Sequence, residues 1–227
     1  MFFFDTGYLI YVLPAMIFAM WAQSRVSSAF QTYSRQMSSS GLSGAQVARE
    51  LLNSSGLTGV RIETTSATLG DHYDPRSKVL RLSRNVYSSS SVAALGVAAH
   101  EVGHAIQDAT GYAPLYLRNG LVPIAQFGSS AAWPLFLVGF LFQSEMLMNV
   151  GLLFFAGAVL FTLVTLPVEY NASGRAIGLL EAGGYVRGNE VAAVRKVLDA
   201  AALTYLAATA VAVAQFLRLL MLRGRRR

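Results

Sequence analysis

Long apolar stretches alternate with polar ones along this chain, and their lengths predict helices that cross a membrane. A helix needs about 20 apolar residues to span the roughly 30 Å hydrocarbon core of a bilayer. Four stretches approach that length, at residues 7–22, 115–142, 147–167 and 200–222. A short turn at residues 143–146 joins the second stretch to the third. We therefore expect the second and third stretches to form a helical hairpin.

The first and fourth stretches each leave an alternative open. The first is short and N-terminal, so a signal peptide is its rival interpretation. However, residues 1–5 contain no basic residue, and no clear small-x-small cleavage site precedes the polar stretch. We expect an uncleaved anchor with Trp21 at its interfacial end. The fourth stretch is rich in alanine and contains Arg218. Either stretch could instead pack as a buried helix.

The polar region between the first two stretches begins with a helical pattern. Val47, Leu51 and Leu52 recur at helical spacing within residues 44–52 and predict an amphipathic helix. Further along, the serines of residues 88–91 are candidate N-caps for the helix that follows them.

Two short segments in the same region alternate apolar and polar residues as strands do. They are residues 60–63, around Arg61, and residues 79–82, around Arg81. Turn-forming residues at positions 70–75 lie between them. We expect the two segments to pair as a small β-hairpin.

The composition excludes several classes of protein. Hydrophobic residues make up 54% of the 227 positions and charged residues 13%, and the mean hydropathy is +0.45. This leaves too little polar surface for a soluble globule. The net charge of +6 lacks the interleaved basic and aromatic pattern of a nucleic-acid surface, so we expect no nucleic-acid partner. Cysteine is absent, so a metal site would need His, Asp or Glu ligands.

The strongest chemical signal is an H-E-x-x-H motif at His100, Glu101 and His104. At about 3.6 residues per turn, the two histidines lie one turn apart on the same helix face and can bind one metal ion. Glu101 is placed to act as general base on a water at that metal. The alternative is a chance match on a helix surface, although the chain contains only three histidines. We expect a zinc site.

Catalytic zinc usually has three protein ligands, and Glu169 is the strongest candidate for the third. It follows the third apolar stretch directly, where Pro167 predicts a break or kink. The chain returns there to the membrane side from which the second stretch departs. His100, His104 and Glu169 could therefore meet at one surface. The alternative is an interfacial charge at a helix start.

Three further ionisable residues are weaker candidates for the site. Asp108 lies one turn beyond His104 and could orient its imidazole, or it could be a solvated helix carboxylate. His72 could donate a hydrogen bond to a developing oxyanion, or it could satisfy the local backbone of its turn. Arg175 follows Glu169 in the chain and could pair with a carboxylate or a substrate carbonyl.

Taken together, these residues resemble the bacterial YugP-like family of membrane zinc metallopeptidases. The resemblance covers most of the chain, including the N-terminal anchor. It rests on residues 71–75 (DHYDP), 100–107 (HEVGHAIQ), 166–169 (LPVE) and 200–205 (AAALTY). The zinc motif alone is shared by many unrelated proteases, whereas its combination with the other segments is far more specific.

A more distant similarity is to membrane proteases of the HtpX and CAAX prenyl protease type, in which a helical hairpin also separates H-E-x-x-H from a glutamate ligand. Those families typically have an aspartate four residues after that glutamate. This chain has Ser173 four residues after Glu169, so the outer partners of Glu169 should differ here.

We therefore predict a mainly α fold, a multi-span membrane helical bundle with a zincin-like active helix and a small β-hairpin. The predicted regions are an N-terminal anchor (1–22), a catalytic region with the zinc-binding helix (23–114), a transmembrane hairpin (115–168), a third-ligand helical region (169–199), and a C-terminal transmembrane helix with a basic tail (200–227).

The predicted function is zinc-dependent peptide-bond hydrolysis at a bacterial cell membrane, with Glu101 as base. Its partners would be Zn²⁺, a peptide or protein substrate and the lipid bilayer. Two alternatives are a metal-binding but proteolytically inactive scaffold or chaperone-like protein, and a transporter. The second and third apolar stretches contain almost no ionisable residue, which argues against an ion path.

Two groups of basic residues predict opposite orientations in the membrane. The first group follows the fourth stretch and comprises Arg223, Arg225, Arg226 and Arg227. The second lies near the opposite ends of the stretches and comprises Arg25, Arg35, Arg175, Arg187, Arg195 and Lys196. The hairpin turn contains Glu145 and no Lys or Arg. This favours a cytoplasmic active site.

Overall fold

The computed structural model describes residues 5–67 and 70–224, and these form two compact units. The helical unit takes the chain up to residue 23, residues 116–167 and the chain from residue 203. The α+β unit takes residues 24–115 and 168–202. The start of the predicted anchor (1–4) and the last three arginines of the orientation argument (225–227) lie outside the described residues.

Helices dominate both units, as predicted for a mainly α membrane protein. In the described residues the helices are α1 (Leu13–Tyr33), α2 (Gly44–Ser54), α3 (Arg84–Tyr87), α4 (Val92–Ala109), α5 (Ala113–Leu141), α6 (Glu145–Ala182) and α7 (Asn189–Gly224). The strands are β1 (Arg61–Thr65), β2 (His72–Asp74) and β3 (Val79–Ser83). A π-helical turn at Tyr8–Val12 leads into α1. By length and composition, α1 with this turn, α5, α6 and α7 could each cross a membrane.

Within the helical unit, α5 and α6 approach each other closely at glycines. A Cβ atom added at Gly128 would lie 2.6 Å from the carbonyl oxygen of Phe154, and one added at Gly151 would lie 2.9 Å from that of Ala132. Small residues allow such contact between apolar helices, which lipid gives no hydrophobic force to associate. Large apolar side chains such as Phe142, at 77% exposure, remain on the outside. This distribution suits a lipid surround.

Arg218, the charge inside the fourth apolar stretch, is buried and paired. Its Nε and Nη2 atoms donate to Asp5 Oδ2 at 2.9 and 2.8 Å. Its guanidinium carbon lies 5.2 Å from the ring centroid of Tyr8 and 5.6 Å from that of Trp133. Pairing of this kind is what a buried charge requires. It also brings residues near the two chain ends together at one end of the helical unit.

Of the break or kink predicted at Pro167, the break is wrong, because α6 continues through Pro167 to Ala182. A proline removes only one backbone hydrogen bond, and long apolar helices tolerate this where neighbours compensate. Helix α5 likewise contains Pro123 and Pro134. As a result, Glu169 projects from the interior of a helix rather than from a helix start.

In the α+β unit, serine side chains cap the starts of two helices, and one of these caps, at α4, was predicted from the sequence. Ser43 and Gln46 form a capping box at the start of α2, whose buried face includes Val47, Leu51 and Leu52. Ser91 Oγ accepts a hydrogen bond from the amide of Ala94 at the start of α4. These caps satisfy amide groups that the first turn of each helix leaves unpaired.

The predicted β-hairpin exists, but its strands are not the two that the sequence suggested. The strand order is β1-β3-β2, and β1 pairs with β3 in parallel. The segment expected to be a turn instead supplies β2, which pairs with β3 in antiparallel register. Strand β3 is therefore the central strand, with β2 antiparallel along one edge and β1 parallel along the other. The tight turn follows Asp74, whose Oδ1 accepts from the amide of Arg76.

Candidate metal centre

Helix α4 carries the H-E-x-x-H motif through the core of the α+β unit. His100 and His104 lie one turn apart on it, with ring centroids 4.7 Å apart and ring planes at 87°. Each imidazole keeps about 12% of its side-chain surface exposed. The helix therefore presents two nitrogen ligands side by side in a mostly buried place.

Gly103 lies between the two histidines in the sequence and lets α6 approach α4. A Cβ atom added at Gly103 would lie 2.7 Å from the carbonyl oxygen of Ala172, closer than real Cβ contacts allow. Only glycine therefore permits this helix spacing. The close approach brings Glu169, three residues before Ala172, next to the motif.

Glu169 is 3% exposed, and its carboxylate faces both histidines. Its Oε2 atom lies 3.2 Å from His100 Nε2 and 3.6 Å from His104 Nε2. One ligand atom from each of the three residues lies within 4.8 Å of the other two. The structure thus brings together the three residues that the sequence proposed as ligands.

This donor set fits zinc. Two imidazole nitrogens and one carboxylate oxygen form a known ligand set for catalytic zinc. A tetrahedral ion with bonds of about 2.0–2.1 Å holds its ligand atoms roughly 3.3–3.4 Å apart. The 3.2 and 3.6 Å separations around Glu169 Oε2 match that spacing.

Negative charge accumulates around His104. Burial by itself lowers the pKa of His104, but the hydrogen bond to Glu169 and the charges of Glu101 and Glu169 raise that pKa overall. A divalent cation would neutralise the same excess of negative charge. The electrostatics therefore favour a cation at this position.

Polar side chains hold the outer nitrogen of each imidazole. His104 Nδ1 lies 2.9 Å from Gln107 Oε1, and His100 Nδ1 lies 3.1 Å from Ser173 Oγ. Such partners orient a metal-binding imidazole and leave Nε2 for the metal. Ser173, four residues after Glu169, thus contacts one of the two motif histidines.

Glu101 and Asp108, both on α4, are almost fully buried, at 7% and 8% exposure. The Asp108 carboxylate accepts hydrogen bonds from Tyr73 Oη at 2.8 Å and Lys78 Nζ at 2.6 Å. The side chain that contacts His104 Nδ1 is Gln107. The orienting role of Asp108 on His104 stays a prediction.

The other two candidates make local contacts. His72 is exposed, and its Nδ1 atom lies 2.8 Å from the carbonyl oxygen of Gly70. This contact matches the alternative in which the histidine satisfies its own turn. Arg175 donates from Nε to Asn171 Oδ1 at 2.8 Å, an amide rather than a carboxylate.

The sequence reasoning assigned no role to Gln107 and Asn171. Gln107 is fully buried, and its Nε2 atom donates to Val168 O at 2.8 Å and to Asn171 Oδ1 at 3.0 Å. Gln107 follows His104 by three residues, which is one helical turn. That spacing from a motif histidine was the signal in the sequence that could have identified Gln107.

Comparison with known proteins identifies the family of the chain. A family model described as "Putative neutral zinc metallopeptidase" matches residues 8–224. The chain belongs to this family. The chain is also similar to the "Putative membrane protease YugP" of Bacillus subtilis (strain 168). The two are 45% identical over 215 residues, which cover 95% of this chain and 96% of the relative.

Family membership confirms the resemblance expected from the sequence. No solved structure matches the chain significantly. Membership of a zinc metallopeptidase family supports zinc as the metal and a peptide as the substrate class. The apolar helices of the chain support a lipid environment.

Proposed function

We propose that this protein is a membrane-embedded zinc endopeptidase in which His100, His104 and Glu169 bind the metal. One observation carries the proposal: ligand atoms of these three residues, from two helices, lie within 4.8 Å of one another. The membership of the chain in a zinc metallopeptidase family supports the same conclusion.

Glu101 acts as general acid and base in this proposal. When bound, zinc supplies Lewis acidity that polarises the scissile carbonyl and acidifies water. Glu101 takes a proton from the attacking water as its oxygen bonds to the carbonyl carbon. As the carbon–nitrogen bond breaks, Glu101 delivers that proton to the leaving amine. Burial of Glu101 excludes bulk water that would compete for the proton.

The test compares Glu101→Gln with wild type in the full-length protein, purified in detergent and loaded with zinc. The probe is an unfolded casein substrate, whose cleavage products are counted as new amino termini. We expect Glu101→Gln to retain zinc and to lose about 10²- to 10⁴-fold in turnover. Glu181→Gln, the same change at an exposed position of α6, is the matched control.

Unchanged cleavage by Glu101→Gln would remove Glu101 from the mechanism. A folded wild-type protein that binds zinc but cleaves nothing, while still retaining the substrate, would favour the inactive scaffold instead.

We also propose four membrane crossings with the active site on the cytoplasmic side. The pairing of Asp5 with Arg218 supports an even number of crossings, because it holds the two ends of the chain together. The absence of Lys and Arg from the turn before α6 supports an external hairpin tip. A C-terminal reporter fusion should therefore be active only with a periplasmic reporter. Activity only with a cytoplasmic reporter would reverse the orientation.

A further inference from the structure

The hydrogen bonds around Gln107 have only one consistent direction. The carbonyl oxygen of Val168 can only accept, so the atom of Gln107 that faces it must be the Nε2 donor. The guanidinium of Arg175 can only donate, so the atom of Asn171 that faces it must be Oδ1. Two groups of fixed polarity therefore determine how both amides are turned.

The facing atoms of the two amides then have complementary roles. Gln107 Nε2 has two hydrogens, and it gives one to Val168 O and the other to Asn171 Oδ1. Asn171 Oδ1 accepts from Gln107 and from Arg175, at 3.0 and 2.8 Å. Turning either amide would place donor against donor or acceptor against acceptor.

This arrangement decides which nitrogen of His104 is available. With Nε2 of Gln107 occupied, Oε1 must face His104 Nδ1 at 2.9 Å, and Oε1 can only accept. Nδ1 therefore carries the hydrogen. The lone pair used for a metal must be the one on Nε2, which faces Glu169.

We infer that Arg175, Asn171 and Gln107 form a directional hydrogen-bond relay that presents His104 Nε2 to zinc, with Arg175 and Asn171 as positioning residues. The inference rests on the proposed metal site. It assigns Arg175 to the support of a ligand, in place of the carboxylate or substrate contact that the sequence suggested. The first two members of the relay from the His104 ring, Gln107 and Asn171, are neutral amides. They therefore orient the ring without adding negative charge to that of Glu101 and Glu169.

His100 has no such relay among the described contacts. The Nδ1 atom of His100 lies 3.1 Å from Ser173 Oγ, and a hydroxyl can rotate to donate or to accept. Ser173 therefore supports His100 without dictating which nitrogen carries hydrogen. The two proposed ligands thus differ: the tautomer of His104 is fixed by its partner, and that of His100 is not.

The test measures zinc affinity of the full-length protein in detergent by competition with a chelator of known affinity. Asn171→Leu removes the acceptor, whereas Asn171→Asp keeps an acceptor for both Gln107 and Arg175. Loss of an outer partner costs a ligand about 10- to 100-fold in metal affinity, so we expect about tenfold weaker binding for Asn171→Leu and near wild-type binding for Asn171→Asp. Asn85→Leu, at an exposed position of α3, is the matched control.

A second variant and a second readout guard against misfolding. Gln107→Leu should weaken zinc by more than Asn171→Leu, toward about 100-fold, but Gln107 is fully buried and this variant could fail to fold. Asn171 is only half-buried, so its pair of variants carries the test. Thermal unfolding of the metal-free proteins should show that both Asn171 variants fold, with a lower melting temperature for Asn171→Leu because that change leaves a buried donor unpaired.

Equal zinc affinity for Asn171→Leu and Asn171→Asp, whether weak or strong, would overturn the relay and leave the proposed function intact. A folded wild-type protein without measurable zinc affinity would overturn the proposed function and the relay together. Rescue by Asn171→Asp alone supports the relay, because a purely structural role would not separate the two variants.

Discussion

Helix α6 has two halves that pack by different rules. Its first half, residues 145–167, lies in the helical unit and contains one charged residue, Glu145. Its second half, residues 168–182, lies in the α+β unit and carries Glu169, Asn171, Ser173 and Arg175. Both halves use glycine for a close helix contact, but only the second contributes to a polar site.

The first half depends on shape. At Gly151 the backbone of α5 lies so close that an added Cβ would be 2.9 Å from Ala132 O. The second half depends on shape and on chemistry. Gly103 of α4 lies against Ala172 O, and the flanking polar side chains Asn171 and Ser173 hydrogen-bond to Gln107 and to His100. Substitutions that change side-chain volume should therefore destabilise the packing of both halves. Substitutions that change only polarity should affect the second half alone, through its zinc affinity.

The largest expected effect in this comparison comes from Glu169→Ala. The change removes one of three ligands, and zinc affinity should fall by more than the ~10- to 100-fold that outer partners cost. Metal analysis after dialysis against a weak chelator would measure about one zinc per wild-type chain and far less in the variant. Glu181→Ala, at an exposed position of the same helix, should retain zinc. Full retention by Glu169→Ala would mean that another residue is the third ligand.

Gly103→Ala should have the next largest effect. The added methyl group would collide with Ala172 O, and overpacking of this kind costs about 1–3 kcal/mol. Because Gly103 lies between His100 and His104, the variant should also bind zinc more weakly. Differential scanning fluorimetry and chelator competition would measure both changes.

The control for this substitution is Gly178→Ala, in the second half of α6. A Cβ added at Gly178 meets nothing within 4 Å, so the change should stabilise the helix by about 0.5–1 kcal/mol. If Gly103→Ala proved as stable as Gly178→Ala, the close approach of α4 and α6 would be incorrect.

A smaller effect is expected in the apolar half, from Gly151→Ala. Its methyl group would lie 2.9 Å from Ala132 O and Phe136 N, so the melting temperature in detergent should fall. Zinc affinity of the folded variant should stay at the wild-type value, because no residue of the helical unit supplies a proposed ligand. Gly120→Ala, with open space around it in α5, should not lower the melting temperature and should leave zinc affinity unchanged. Weakened zinc binding in Gly151→Ala would contradict the separation of the two halves.

The sequence predicted those parts of the fold that depend on local pattern. Apolar length identified the four long helices, helical spacing identified α2, and serine identified the start of α4. The convergence of His100, His104 and Glu169 followed from motif spacing and membrane topology. Each of these signals lies within one segment or in the order of segments.

The parts that the sequence missed depend on which segments meet. The parallel pairing of β1 with β3 requires knowing that residues 72–74 form a strand. The role of Asn171 requires knowing that its amide faces Gln107, 64 residues earlier in the chain. Hydrogen-bond partners of this kind are set by tertiary packing, which no local period reveals.

The smallest effect that still tests the comparison is that of Ser173→Ala. Ser173 belongs to the polar half and contacts His100 Nδ1, yet its hydroxyl imposes no direction on that nitrogen. We therefore expect zinc affinity to fall by about tenfold or less, at the lower limit for an outer partner. Chelator competition on this variant and on Gln107→Leu should rank the serine contact below the amide contact. The reverse order would mean that His100, rather than His104, is the ligand whose orientation limits zinc binding.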